Sequence, residues 1–161
     1  ITGGEPLLQD GIEEFIGKIK DLGYAIKLDT NGSFPEKLIS LVEKGLVDYV
    51  AMDIKNSKAK YMATIGVNNI DMASIEKSVD FLLQNKVDYE FRTTIVDGFH
   101  TVDDIQDIVV WIKGAHKYFL QNFVDSGDLI EAGLSPVSVD MLKEMKKKAT
   151  EFVPCVEIRG I

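Results

Sequence analysis

Short stretches of this sequence collect residue types that could hold a small polar ligand. In Gly3-Gly4-Glu5-Pro6 two glycines leave the backbone without Cβ atoms, so a ligand can lie directly against the chain. Glu5 adds an acceptor-only carboxylate suited to an ammonium group. Pro6 fixes its own φ and drives Glu5 toward an extended conformation, which sets the angle of that carboxylate at a strand end. Asp29-Thr30-Asn31-Gly32 follows, then Asp53 with Lys55, Arg92 with Thr94, and Gln121 with Asn122. Carboxylates, amides, hydroxyls and two cations are groups that orient a polar ligand through charge and hydrogen bonds.

The elements that must position them read clearly. Ile12, Phe15, Ile16, Ile19 and Leu22 recur at helical spacing across residues 9–22, and Gly23 ends that helix. Residues 24–29 read as a strand that stops at the Thr30-Asn31-Gly32-Ser33 turn, and Pro35 opens a helix closing near Gly45. A second strand spans 48–55. After a less regular stretch through Tyr61 and Gly66, a helix over about 71–85 presents Ile75, Val79, Leu82 and Leu83 on one face. A third strand spans 89–96 and ends at Asp97-Gly98. Thr101 and Asp104 form a capping arrangement for the helix carrying Ile105, Ile108, Val109 and Ile112. A fourth strand covers 118–123, then a loop 124–136 of the length that functional lids adopt. A helix over about 139–152 turns Met141, Leu142, Met145 and Ala149 inward, its Lys146-Lys147-Lys148 run complementing the helix dipole, and Cys155 to Arg159 closes the chain as a strand.

Strand and helix in alternation predict an α/β fold with a parallel sheet and a single domain over residues 1–161. In such sheets ligands bind at the carboxyl ends of the strands. Those ends carry Gly3-Gly4-Glu5, Asp29-Thr30-Asn31, Asp53, Lys55 and Arg92.

Each also has a plainer reading. Asp29 and Asn31 could be turn formers through side-chain to backbone bonds, Asp53 and Lys55 an ion pair, and Arg92 a neutralising partner for one of the carboxylates. His100 reads as a loop residue, His116 as a helix surface residue, Trp111 as partial core and Cys155 as a small buried hydrophobe.

Composition narrows the class. With 26 acidic against 18 basic residues, a net charge of −8 argues against a nucleic-acid partner. No apolar run is long enough to span a membrane. A single cysteine allows neither an internal disulfide nor an all-cysteine metal site, and fits a reducing cytoplasm.

Gly3-Gly4-Glu5-Pro6-Leu7-Leu8-Gln9, Leu28-Asp29-Thr30-Asn31-Gly32 and Met52-Asp53-Ile54-Lys55, in this order and at this spacing, resemble the radical S-adenosylmethionine activating enzymes of glycyl radical enzymes. Glu90 to Thr94, Leu120 to Phe123 and Val156 to Ile161 are most similar to the anaerobic ribonucleoside-triphosphate reductase activating proteins among them. The resemblance implies a partial (β/α) barrel binding S-adenosylmethionine at its rim. Gly3, Gly4 and Glu5 would receive the methionine amino group, and Asp29, Thr30 and Asn31 would lie near the carboxylate or ribose. Asp53 and Lys55 would sit beside the cofactor and Arg92 close to its carboxylate or ribose.

It also implies reductive cleavage of S-adenosylmethionine at a four-iron, four-sulfur cluster, a reductant such as flavodoxin or ferredoxin, and a glycyl radical enzyme, here anaerobic ribonucleotide reductase, as partner. The three thiolates of the family's CxxxCxxC are not in these residues, and Cys155 cannot replace them. The expectation is therefore the C-terminal part of an activase, a barrel truncated at its N-terminal end and inactive alone. An edge left bare near Leu28 and the first helix would favour self-association. A small-molecule radical enzyme of the deazapurine synthase type and a non-catalytic nucleotide-binding module are the alternatives.

Overall fold

The computed structural model describes residues 1–67, 70–125, 127 and 133–160, so the middle of the expected 124–136 loop lies outside the described residues. A 3-10 turn, Pro6–Leu8, precedes α1 (Ile12–Asp21), β1 (Lys27–Thr30), α2 (Pro35–Glu43), β2 (Tyr49–Asp53), α3 (Tyr61–Ile65) and α4 (Met72–Leu82). β3 (Asp88–Ile95), α5 (Val102–Trp111), β4 (Lys117–Asn122), α6 (Val139–Ala149) and β5 (Cys155–Arg159) complete the order. The strands follow one another in a five-stranded sheet, β1-β2-β3-β4-β5, and the pairs β1–β2, β3–β4 and β4–β5 run parallel. This is the α/β architecture that the alternation of strand and helix predicts.

The chain divides into two compact units, Ile1–Asp53 with Asp71–Glu90 and Ile54–Ile70 with Phe91–Ile161. In the first, Leu28 of β1 pairs with Val50 of β2, and both are fully buried, as are Leu7, Ile16, Leu38 and Val79. Burying a large aliphatic side chain contributes about 1.5–3 kcal/mol each, which fixes the face each amphipathic helix turns inward. Pro35 opens α2, and Asp71 caps α4 by accepting from the Ala73 N–H at 3.1 Å and the Ser74 hydroxyl at 2.7 Å.

β2, expected over 48–55, ends at Asp53 and leaves Lys55 beyond the strand; two further boundaries in this unit differ from the sequence reading for a local reason. α1 begins at Ile12 because Glu5 caps the preceding 3-10 turn and Gly11, at φ 73°, redirects the chain into the helix. β1 begins at Lys27, since its partner β2 starts at Tyr49 and the groups of Ile26 are engaged by Asp48 and Tyr49; Tyr24 is exposed. Phe15, grouped with the apolar stripe of α1, is 54% exposed, with Ile16 carrying the burial.

β1 is the terminal strand of the sheet order, and one residue bonds to its edge at Leu28. Ile1 donates its N-terminal N–H to Lys27 O at 2.6 Å and accepts the Asp29 N–H at 2.9 Å, the bonding of a parallel bridge to Leu28.

In the second unit Phe91, Thr93, Ile95, Tyr118 and Leu120 share one face of β3 and β4 and are buried, as are Ile105 and Ile108 of α5 and Leu142 of α6. Thr101 and Asp104 make the full capping box expected for α5. Leu142, Met145 and Ala149 form the buried stripe of α6, while Met141, expected inward, is exposed because it sits one position off that stripe. Cys155 is half-buried at the start of β5 rather than enclosed. The stretch through Tyr61 holds the short helix α3, whose buried Tyr61 meets the half-buried Trp111 edge-on at 6.1 Å. Among the described residues no helix is long and apolar enough to cross a membrane.

Candidate functional site

In the first unit the sequence brings Glu5 and the end of β1 together. Glu5 Oε1 accepts the Leu7 N–H at 3.0 Å, Oε2 accepts the Asn31 N–H at 2.7 Å, and the Thr30 hydroxyl donates at 3.0 Å to either oxygen. Thr30 is buried, and its Oγ1 also accepts the Gly32 N–H at 3.1 Å. Glu5 is thus a brace between the N-terminal turn and β1, with three of its roughly four acceptor positions filled from within the protein. Lys37 supports the same turn by donating to Leu7 O at 2.7 Å.

The brace holds Gly3 and Gly4 at φ 103° and 56°, with no heavy atom within 4 Å of where either Cβ would stand. Their backbone is open to solvent and to a ligand. Asn31 Oδ1 accepts the Ser33 N–H at 2.9 Å, so the plainer reading of Asn31 as a turn former describes its side chain. Gly32 has φ 80°, and a Cβ there would overlap the Sδ–Cε end of buried Met52.

Asp29 stands opposite Ala51 in the β1–β2 register, and by strand alternation Asp53 points to the same face. Both carboxylates are half-buried at the carboxyl ends of their strands. Toward the amino ends of β1 and β2, buried Glu90 accepts the Tyr49 hydroxyl at 3.0 Å and pairs with Lys27 at 3.4 Å.

In the second unit Arg92 and Lys55 are set by one ladder. Ile54 N–H donates to Arg92 O at 2.7 Å, and the Thr93 hydroxyl donates to Ile54 O at 2.7 Å while accepting from the Tyr118 hydroxyl at 2.7 Å. Burial raises the Tyr118 phenol far above its ordinary value. Arg92 is half-buried opposite Phe119, and two positions along, Gln121 stands opposite both Thr94 and Arg159. The Arg159 guanidinium lies over the Phe119 ring at 3.5 Å, which puts a second arginine on the Arg92 face. Alternation along β5 was the signal for it.

His100 is the residue whose role the sequence hides. It is 5% exposed, Nδ1 accepts the Val96 N–H at 3.2 Å, and Nε2 lies 2.8 Å from Lys55 O. An N–H can only donate, so Nδ1 carries the lone pair and Nε2–H donates to Lys55 O. Burial holds its pKa below the ordinary 6.5. Beside it, Asp104 accepts from Lys60 at 2.8 Å and from Thr101; burial pushes that carboxyl up, but these donors more than reverse the effect and leave it below its ordinary value.

No family model matches the chain. A candidate glycyl-radical enzyme activating enzyme of Methanocaldococcus jannaschii is 34% identical over all of this chain and 70% of its own length. A GTP 3',8-cyclase of Clostridium perfringens is 33% identical over 68% of this chain and 34% of its own. Among solved structures, a domain of pyruvate-formate lyase-activating enzyme from Bacteroides vulgatus superposes with a TM-score of 0.78 at 15% identity, covering 99% of this chain and 97% of that one, a likeness of fold.

Proposed function

This chain belongs to the radical S-adenosylmethionine proteins that include the glycyl-radical enzyme activating enzymes, and from that premise we propose that it is the S-adenosylmethionine-binding part of an activase. The observation that carries this reading is the Glu5 brace, which bares the Gly3-Gly4 backbone at the carboxyl end of β1. With most of the Glu5 carboxylate committed internally, the carbonyls of Gly3 and Gly4 receive the methionine ammonium, and Glu5 holds them in place. Asp29, Thr30 and Asn31 line the end of β1, Thr30 through the brace; Asp53 serves the ligand from β2. Lys55 and Arg92 supply the positive charge for its carboxylate and the hydrogen bonds for its ribose.

Bound S-adenosylmethionine supplies a hydrogen-abstracting 5'-deoxyadenosyl group to the family's chemistry. The residues of this chain do not fit an iron-sulfur cluster: Cys155 is its only cysteine, and among the described residues no three His, Cys, Asp or Glu side chains converge as a metal ion needs. The thiolates would come from outside these residues. A flavodoxin or ferredoxin would be the reductant, and anaerobic ribonucleoside-triphosphate reductase the partner, on the strength of the motifs at 90–94, 120–123 and 156–161. The cyclase relative favours a second reading, a radical enzyme acting on a small molecule.

Equilibrium dialysis of labelled S-adenosylmethionine against the full-length protein tests the proposal. Saturable binding that Gly4→Val removes at a temperature where the variant is still folded is expected. Absence of binding, or binding indifferent to Gly4→Val, contradicts it.

A further inference from the structure

Lys55 lies two residues past the end of β2, in a loop that three side chains tie to the loop after β3 and the first turn of α5. Asn56 Nδ2 donates to Phe99 O at 3.0 Å, Lys60 pairs with Asp104 at 2.8 Å, and His100 donates to Lys55 O at 2.8 Å. The third differs in kind, because it grips the backbone of a residue assigned to the ligand. The peptide plane before Lys55 is held by Thr93 through Ile54 O, and the plane after it by His100 through Lys55 O. With both flanking planes pinned, the φ and ψ of Lys55 are fixed, and with them the direction in which its side chain leaves the backbone.

We propose that His100 is a positioning residue that aims Lys55 at the S-adenosylmethionine carboxylate or ribose. This rests on the reading of Lys55 as a cofactor contact and adds how that contact is preorganised. The imidazole suits the task as the neutral tautomer, with Nδ1 taken by the Val96 N–H. The charged groups facing it are Asp104 from α5 and Lys60 from the loop after β2, which pair with each other.

The test is the S-adenosylmethionine dissociation constant of the full-length protein, reconstituted without oxygen, in a double-mutant cycle. An asparagine keeps an acceptor near the Nδ1 position but cannot reach Lys55 O, whereas a glutamine carries an N–H donor near the Nε2 position. His100→Asn should weaken binding on the order of tenfold, as misplacement of a contact by a remote change does. His100→Gln should hold it close to wild type. In a Lys55→Met background His100→Asn should add almost nothing, since the histidine acts through Lys55. Protonation of Nδ1 sets an N–H against the Val96 N–H and displaces the ring, so wild-type affinity should also fall as pH drops through the folded pKa of His100, which lies below 6.5; His100→Gln flattens this dependence, and this arm stands if His100→Asn does not fold.

Loss of the same factor in the Lys55→Met background, or no pH dependence of wild-type affinity, overturns the positioning role and leaves the cofactor reading intact. Binding unaltered by Lys55→Met removes the Lys55 contact and the inference with it. No binding by wild type removes the functional reading.

Discussion

Asn31 donates its backbone N–H to Glu5 Oε2 at 2.7 Å across a separation of 26 residues. That bond, with the Thr30 hydroxyl on the same carboxylate, fastens an exposed glycine turn to the end of a buried strand. A turn of two positive-φ glycines has no preference of its own for one shape, and the brace chooses it.

Removing the brace should therefore cost both stability and binding. Glu5→Ala leaves the N–H groups of Leu7 and Asn31 and the buried Thr30 hydroxyl without their acceptor, a loss of about 1–3 kcal/mol. Chemical denaturation measures it, and dialysis should show S-adenosylmethionine affinity falling further than Glu5→Gln makes it fall, because glutamine keeps one acceptor oxygen. Equal affinities for wild type and Glu5→Ala would refute the brace.

Gly32→Ala is expected to destabilise by at least about 1 kcal/mol, from a left-handed φ of 80° and from displacement of the buried Met52 side chain together. Gly45→Ala, at φ 68° with open space around its Cβ, should lose less. Thermal unfolding of the two variants separates backbone strain from overlap.

Acid should loosen the second unit in two stages. The folded pKa of His100 lies below 6.5, so its neutral form contributes stability that is complete above that value. As pH falls below it the unfolded chain takes up the proton first, stability drops, and the loss levels off below the folded pKa. Asp104 follows the same sign lower down: its contribution is complete above 3.8 and is lost as pH falls through its depressed folded value. Denaturation midpoints measured from neutral to acidic pH should show the first stage in wild type and not in His100→Gln.

What was legible in the sequence was whatever local pattern decides. Alternation of strand and helix gave the parallel order, and the rule that parallel sheets present ligand groups at their carboxyl ends singled out Asp29, Asp53 and Arg92. Thr101 and Asp104 are three residues apart, so their capping box could be read directly. The role of Glu5 could not, because its partners lie 25 and 26 residues away. His100 stayed hidden for another reason: both its partners are backbone groups, which leave no mark on residue identity. Phe15 and Met141 show the limit of periodicity, which marks an apolar stripe and leaves its edges to tertiary packing.

The most direct measurement takes the full-length gene product, reconstituted without oxygen with iron and sulfide and chemically reduced, and follows 5'-deoxyadenosine formed from S-adenosylmethionine. Its formation in wild type is expected, with a strong reduction in Glu5→Ala and Lys55→Met and an intermediate rate in His100→Asn. A protein that takes up its cluster and binds S-adenosylmethionine but forms no 5'-deoxyadenosine would contradict the assignment of these residues to a radical activase.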